Sequence, residues 1–229
     1  MIIGISGMIS SGKSTLVKKL SDYYPNSIFI EEFSENDPVF NTFLKWCYEK
    51  QPNTDIAFQS FLVESLTDSF YKHKKEFLKN HNIQDDHIFL DRFILEHYIF
   101  AKATLSQKNK KYFEAFEKLF VHIYDSKCNP DFALFLDISW QTFKQRIFQR
   151  GRKVEIDNFY ANEEYFKYLN NIYKSTFVDL LSKYNIPYVI IDSNNKSHSK
   201  RFIWSNSKDN WKSLNKQKIK SGYPDFLCL

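Results

Sequence analysis

Glycine is scarce in this chain: there are five in 229 residues, three of them within the first twelve positions. Glycine is the one residue free at positive φ, so its few positions mark where a special backbone is needed. Cysteine is scarcer still, and Cys47, Cys128 and Cys228 form an odd, widely spaced set. That set argues against both a disulfide framework and a structural zinc site. The six histidines show no pairing at metal-ligand spacing. No apolar stretch approaches the ~18 residues that span a bilayer, and no basic segment precedes the short apolar run at the N-terminus. The chain reads as cytoplasmic, with no membrane partner.

What is present suits one α/β domain. A mass of 27.4 kDa with 43% hydrophobic residues supplies a sizeable core, and the 23 Phe and 14 Tyr report packing rather than function. The net charge of +5 is unevenly placed: residues 193–229 hold eight Lys/Arg against two Asp/Glu, leaving 24 basic against 25 acidic residues elsewhere. The body is therefore near neutral, and nucleic acid is not an expected partner. Residues 1–195 read as the compact domain and 196–229 as a basic, poorly ordered tail. Within that tail Phe202, Ile203, Trp204 and Trp211 are the side chains able to dock.

Strand-like runs fall at 2–6, 27–33, 87–91, 131–138 and 187–192, separated by segments of helical length or period. That alternation predicts a parallel sheet with helices on both faces. Between the second and third runs Phe58, Leu62, Leu66 and Phe70 recur every four residues, a buried helical stripe. A second long amphipathic stretch covers 161–184 and closes at Pro187.

The early glycines frame Gly7-Met8-Ile9-Ser10-Ser11-Gly12-Lys13-Ser14, the pattern of a phosphate-binding P-loop. An isoleucine-rich strand precedes it and a helix from Thr15 follows, so backbone N–H groups and a helix N-terminus converge on bound anions. Lys13 offers a cation to the β/γ-phosphates and Ser14 a hydroxyl to Mg²⁺. Ligands of open α/β sheets lie at the carboxyl ends of the strands, so the other strand ends carry the remaining candidates. Glu31-Glu32 ends the second strand, and one of the pair can accept a proton from an attacking hydroxyl while its neighbour points away. Asp91 ends the third strand within reach of the Mg²⁺ shell, with Arg92 beside it for the transferring phosphoryl group. Arg146 and Arg150 share a helix face, where like charges repel by ~0.2–0.5 kcal/mol unless an anion intervenes. Gly151 then releases the chain into Arg152, and this cationic segment reads as a lid over a nucleotide.

Taken in order, these motifs resemble the deoxynucleoside kinase family of P-loop kinases, which includes deoxycytidine, deoxyguanosine, deoxyadenosine and mitochondrial-type thymidine kinases. The likeness covers about residues 1–192. It implies a P-loop kinase fold with a five-stranded parallel sheet, helices on both sides and a lid segment. It also selects Glu32 over Glu31 as the base toward the sugar 5′-hydroxyl, because Glu32 to Pro38-Val39-Phe40 aligns with the family's Glu-Pro-Val context, although the proline directly after the glutamate is missing. The family's tyrosine and glutamine, eleven residues apart, match Tyr48 for the 3′-hydroxyl and Gln59 for the base edge. Asp91-Arg92-Phe93 resembles the acidic-Arg-Ser triplet, with Phe93 in place of serine, and Phe100 matches the aromatic that stacks on the base. Arg150 to Glu155 resembles the lid motif, with Glu155 sharing the 3′-hydroxyl. Positions that favour purines in relatives fall on Leu66 and on either Glu96 or His97, a mild lean toward pyrimidines. The resemblance thus implies ATP-dependent phosphorylation of a deoxynucleoside in nucleotide salvage, with ATP and Mg²⁺ as cofactors and a homodimer as the assembly. A nucleoside monophosphate kinase such as thymidylate kinase, or a non-catalytic nucleotide sensor, stays open as an alternative.

Overall fold

The computed structural model describes residues 1–32, 37–83, 86–194 and, for the backbone alone, 202–204. The sheet is built on β1 (Ile2–Gly7), β2 (Ile28–Ile30), β3 (Ile88–Asp91), β4 (Phe132–Asp137) and β5 (Tyr188–Asp192), all parallel. A short β6 (Phe202–Trp204) adds antiparallel to the edge at β5, giving the order β2-β3-β1-β4-β5-β6. The five parallel strands are those expected. β6 comes from the segment beyond residue 195, and Trp211 lies outside the described residues. Between the strands run α1 (Lys13–Tyr23), α2 (Pro38–Tyr48), α3 (Asp55–Phe77), α4 (Leu95–Leu105), α5 (Lys110–Ile123), α6 (Trp140–Arg150), α7 (Lys153–Asp157) and α8 (Glu163–Lys183).

Alternation along the strands sorts two cores. Ile3, Ile5, Phe89, Leu134 and Val189 face α1 and pack on Val17 and Leu20. Ile2, Ile88, Leu90, Ala133, Phe135 and Ile190 face the other way, into the larger core shared with α3, α4, α5, α6 and α8. Successive strand residues point to opposite faces, so a sheet covered on both sides needs apolar residues throughout, and β1 is buried along its whole length. The α3 stripe is buried as its period predicts: Phe58, Leu62, Leu66 and Phe70 are all in the interior.

Local signals set the helix ends near the carboxyl edge of the sheet. Asp37 caps α2, its carboxylate accepting from the backbone N–H of Val39 at 2.8 Å and Phe40 at 3.1 Å, with Pro38 in the first turn. Ser139 caps α6 through the Thr142 N–H, and Gly151, at φ 75°, ends it. With β1 central, β3 on one side and β4 on the other, the chain reverses its winding at β1, which opens a crevice at that strand's carboxyl end.

Candidate functional site

The loop from Gly7 to Gly12 leaves β1 at that crevice and turns into α1. Gly7 sits at φ 143°, and a Cβ there would stand 2.6 Å from the Leu136 carbonyl oxygen of β4. No residue with a side chain fits so close to a neighbouring strand at that φ. The loop is closed by the Ser11 N–H on the Met8 carbonyl at 3.0 Å, and α1 begins with the Leu16 N–H on Gly12. Arg146, reaching over from α6, donates to the carbonyls of Ser11 at 3.2 Å and Ser193 at 2.6 Å, and the Ser193 hydroxyl also donates to Ser11. Arg146 thus ties the loop to the end of β5, and it is Arg150 and Arg152 that line the crevice.

Lys13 is buried, and its ammonium donates to the carbonyls of Gly7 at 3.2 Å and Met8 at 3.3 Å. Burial, with Arg92 nearby, lowers its pKa to about 8. The Ser14 hydroxyl donates to Asp91 Oδ2 at 3.0 Å, while Asp91 Oδ1 and the hydroxyls of Ser10 and Ser11 are buried with no partner among the described residues. Buried polar atoms are nearly always satisfied, so this concentration of orphans around one loop marks a place built for a polar ligand.

Arg92 is the centre of the charge network. It takes φ 67°, a left-handed conformation that a residue with a Cβ enters at a cost, held here by its own N–H on the Ile5 carbonyl at 3.0 Å. That twist turns the guanidinium back over the P-loop. Its Nε donates to Glu32 at 2.8 Å, and another of its nitrogens to the Gly7 carbonyl at 3.1 Å, to Glu96 at 2.9 Å and to the Tyr173 hydroxyl. Tyr173 in turn donates to Glu96 at 2.5 Å, and the guanidinium lies 4.8 Å over the Phe100 ring. Burial pushes the Glu32 carboxyl upward, with Arg92 partly offsetting it. A carboxylate raised in this way is a stronger proton acceptor than a free one.

β2 ends at Ile30 rather than at residue 33, so Glu31 and Glu32 both fall after the strand. Strand alternation therefore does not separate them, and both line the crevice. What distinguishes them is contact: Glu31 is exposed, whereas Glu32 is engaged by Arg92.

The crevice, with Glu32 in its wall, is one cavity of about 280 Å³. Phe40, Leu44, Phe58, Leu62, Phe100 and Tyr165 form apolar walls, and Lys13, Ser14, Asp91, Arg92, Arg150 and Arg152 gather at the loop end. Tyr48 closes α2 and is buried, its phenol pKa held high first by burial and then by the nearby Glu155 carboxylate. Glu155, on α7, is buried; its Oε1 takes Arg152 at 3.2 Å and faces Arg150 at 3.8 Å, while Oε2 has no partner among the described residues. Gln59 on α3 reaches the same cavity and meets His97 of α4 at 3.4 Å. The predicted residues Lys13, Ser14, Glu32, Tyr48, Gln59, Asp91, Arg92, Phe100, Arg150, Arg152 and Glu155 thus all border one space. Tyr173 was not foreseen, and Glu96 and His97 entered only as alternatives for one position. Their roles come from contacts 38 to 81 residues apart in sequence or from a helix buried on every side, which leaves no local period to read.

Comparison with known proteins gives a consistent result. A family model described as deoxynucleoside kinase matches residues 3–212. An uncharacterized protein of Mycoplasma pneumoniae is 30% identical over 198 residues, covering 85% of this chain and 83% of the relative. The deoxyguanosine kinase of Lactobacillus acidophilus is 27% identical over 83% of this chain and 80% of its own length. Among solved structures, deoxyadenosine kinase from M. mycoides with bound dATP superposes with a TM-score of 0.67 at 23% identity, covering 96% of this chain and all of that one.

Proposed function

Because this chain belongs to the deoxynucleoside kinase family and is therefore a phosphotransferase, we propose that it moves the terminal phosphoryl group of ATP to the 5′-hydroxyl of a deoxyribonucleoside, in nucleotide salvage. The observation that carries the reading is the Glu32–Arg92 pair, which lines one cavity of about 280 Å³ together with P-loop residues on one side and apolar walls on another. A small organic acceptor entering that cavity meets a carboxylate at one end and a phosphate cradle beyond it.

In this reading Glu32 orients the 5′-hydroxyl and receives its proton. Arg92, fixed by Glu96 and Tyr173, faces the transferring group without needing to reorganise when charge develops there. Lys13 leaves its two carbonyl partners for the β/γ-phosphates, and Arg150 and Arg152 close over them from the lid. Arg146 acts through the loop it braces. Gly7, Met8, Ile9, Ser10, Ser11, Gly12 and Thr15 line the cradle through backbone and hydroxyl groups. The orphaned Asp91 Oδ1, beside the Ser14 hydroxyl, fits a Mg²⁺ ion, which usually takes few protein ligands and completes its shell with water and phosphate oxygens. When bound, that ion supplies charge neutralisation between the phosphates. Tyr48 and Glu155 together suit a 3′-hydroxyl, Phe100 a stacked base, and Gln59 the base edge. Phosphoryl transfer depends on positioning and electrostatics more than on covalent chemistry, which such an arrangement supplies.

A homodimer and a cytoplasmic setting belong to the same proposal; no helix among the described residues is long and apolar enough to cross a membrane. The direct test offers the four deoxynucleosides, the ribonucleosides and thymidine monophosphate with Mg·ATP and follows each product. Monophosphates from one or more deoxynucleosides are expected. Turnover of thymidine monophosphate alone would place the acceptor one phosphorylation later, and no transfer to any of them would leave only a binding role.

A further inference from the structure

Gln59 is buried, and the one hydrogen bond its side chain makes among the described residues is to His97 Nδ1, at 3.4 Å. His97 is 1% exposed, lines the same cavity and leans 6.2 Å from the Phe100 ring. Burial, with the Arg92 guanidinium close by, lowers its pKa to about 3, so the imidazole is neutral throughout the physiological range. A neutral imidazole has one N–H and one lone pair, and a partner on the second nitrogen ordinarily decides which nitrogen carries the proton. Here Nε2 is buried with no partner among the described residues, so none of these fixes the tautomer from that side.

The two tautomers have opposite consequences for Gln59. With the proton on Nδ1, the ring donates to the amide oxygen, and the amide NH₂ is presented to the cavity. With the proton on Nε2, the ring accepts from the NH₂, the amide turns by half a rotation, and its oxygen leads. Pyrimidine edges divide along the same line. Cytosine shows an amino donor beside a ring acceptor; uracil and thymine show a keto acceptor beside a ring N–H. We infer that His97 is a positioning residue that sets, through Gln59, which base edge the cavity accepts, and that its two neutral tautomers admit amino-edged and keto-edged bases alike. The inference rests on the deoxynucleoside reading above and adds the acceptor class: bases of either edge, with an apolar wall at Leu62 and Phe58 giving shape but no polarity.

Deoxycytidine and deoxyuridine test this, because they differ only at that edge. For the wild-type chain the two kcat/KM values are expected within tenfold of each other; a wider gap overturns the inference. The variant His97→Asp places an acceptor-only oxygen where Nδ1 stood, beside the cation of Arg92. It takes the Gln59 NH₂ and leaves the amide oxygen to the base, so selectivity should move at least tenfold toward deoxycytidine, mainly through KM. His97→Asn keeps both a donor and an acceptor and should hold the wild-type ratio within threefold. Equal losses on both nucleosides in His97→Asp would mark a merely structural histidine and overturn the proposal. Should that variant fail to fold by circular dichroism, the wild-type ratio and His97→Asn decide: a ratio displaced beyond threefold by the asparagine refutes the tautomer account. A wild-type chain that phosphorylates no deoxynucleoside sinks the underlying reading, and this inference with it, by a different result.

Discussion

Replacing Tyr173 with phenylalanine deletes one oxygen and keeps the ring that packs on Phe135 and Phe100 at centroid distances of 5.9 and 5.8 Å. That oxygen accepts from Arg92 and donates to Glu96, two buried charged groups. Hydrogen bonds to charged groups contribute ~1.5–3 kcal/mol each, and an abandoned buried partner adds its desolvation cost. Neither partner is abandoned, however. Arg92 keeps Glu32, Glu96 and the Gly7 carbonyl, and Glu96 keeps Arg92 and the Phe93 N–H at 3.3 Å. The net loss is therefore about 2 kcal/mol rather than the full sum. In a domain of this size that lowers Tm by ~4–8 °C. The guanidinium also gains freedom it lacked, so kcat should fall about tenfold with a smaller change in KM for the nucleoside, since a loosened transition-state contact is felt in turnover first. Thermal unfolding by circular dichroism and steady-state kinetics read both effects. A variant within 1 °C and twofold of wild type would refute the view that α8 holds Arg92 in place.

Lys13 gives a pH prediction. Its pKa near 8 belongs to the chain without phosphates, and phosphates bind its protonated form, so affinity should be flat below pH 8 and weaken as pH rises through it, by up to about tenfold per unit. Calorimetric titration of ATP between pH 7 and 9.5 checks this; unchanged affinity across that range contradicts the lowered pKa. Gly7→Ala adds a Cβ 2.6 Å from the Leu136 carbonyl at φ 143° and should cost about 3 kcal/mol in urea unfolding, with weaker ATP binding because the loop must shift.

The sheet and the phosphate loop were legible because their signals are local. Isoleucine runs, the glycine spacing and Gly151 each constrain the backbone within a few residues, and the α3 stripe repeats at helical period. β2 was expected to reach residue 33 because Phe33 reads as strand, but the strand ends at Ile30, where pairing with β3 stops at Leu90. Arg92 was legible as a strand-end charge; its left-handed backbone was not, since nothing in the sequence specifies φ for an arginine after an aspartate. The Glu96–Tyr173 clamp and the His97–Gln59 contact were hidden for another reason. α4 is buried on both sides, so its polar residues carry no amphipathic signature, and Tyr173 lies 81 positions from the arginine it touches. The strand in 202–204 rests on pairing with β5, which a segment of Ser, Asn and Lys on either side does not announce.

Glu32→Gln keeps shape and a hydrogen-bonding oxygen for Arg92 while removing the ability to take a proton. With Mg·ATP and a deoxynucleoside that the wild-type chain phosphorylates, kcat should fall by ~10²–10⁴-fold, with Tm close to wild type. Near-normal turnover from a folded Glu32→Gln protein would contradict the assignment of the base, and with it the account of how the acceptor hydroxyl is held against the phosphate loop.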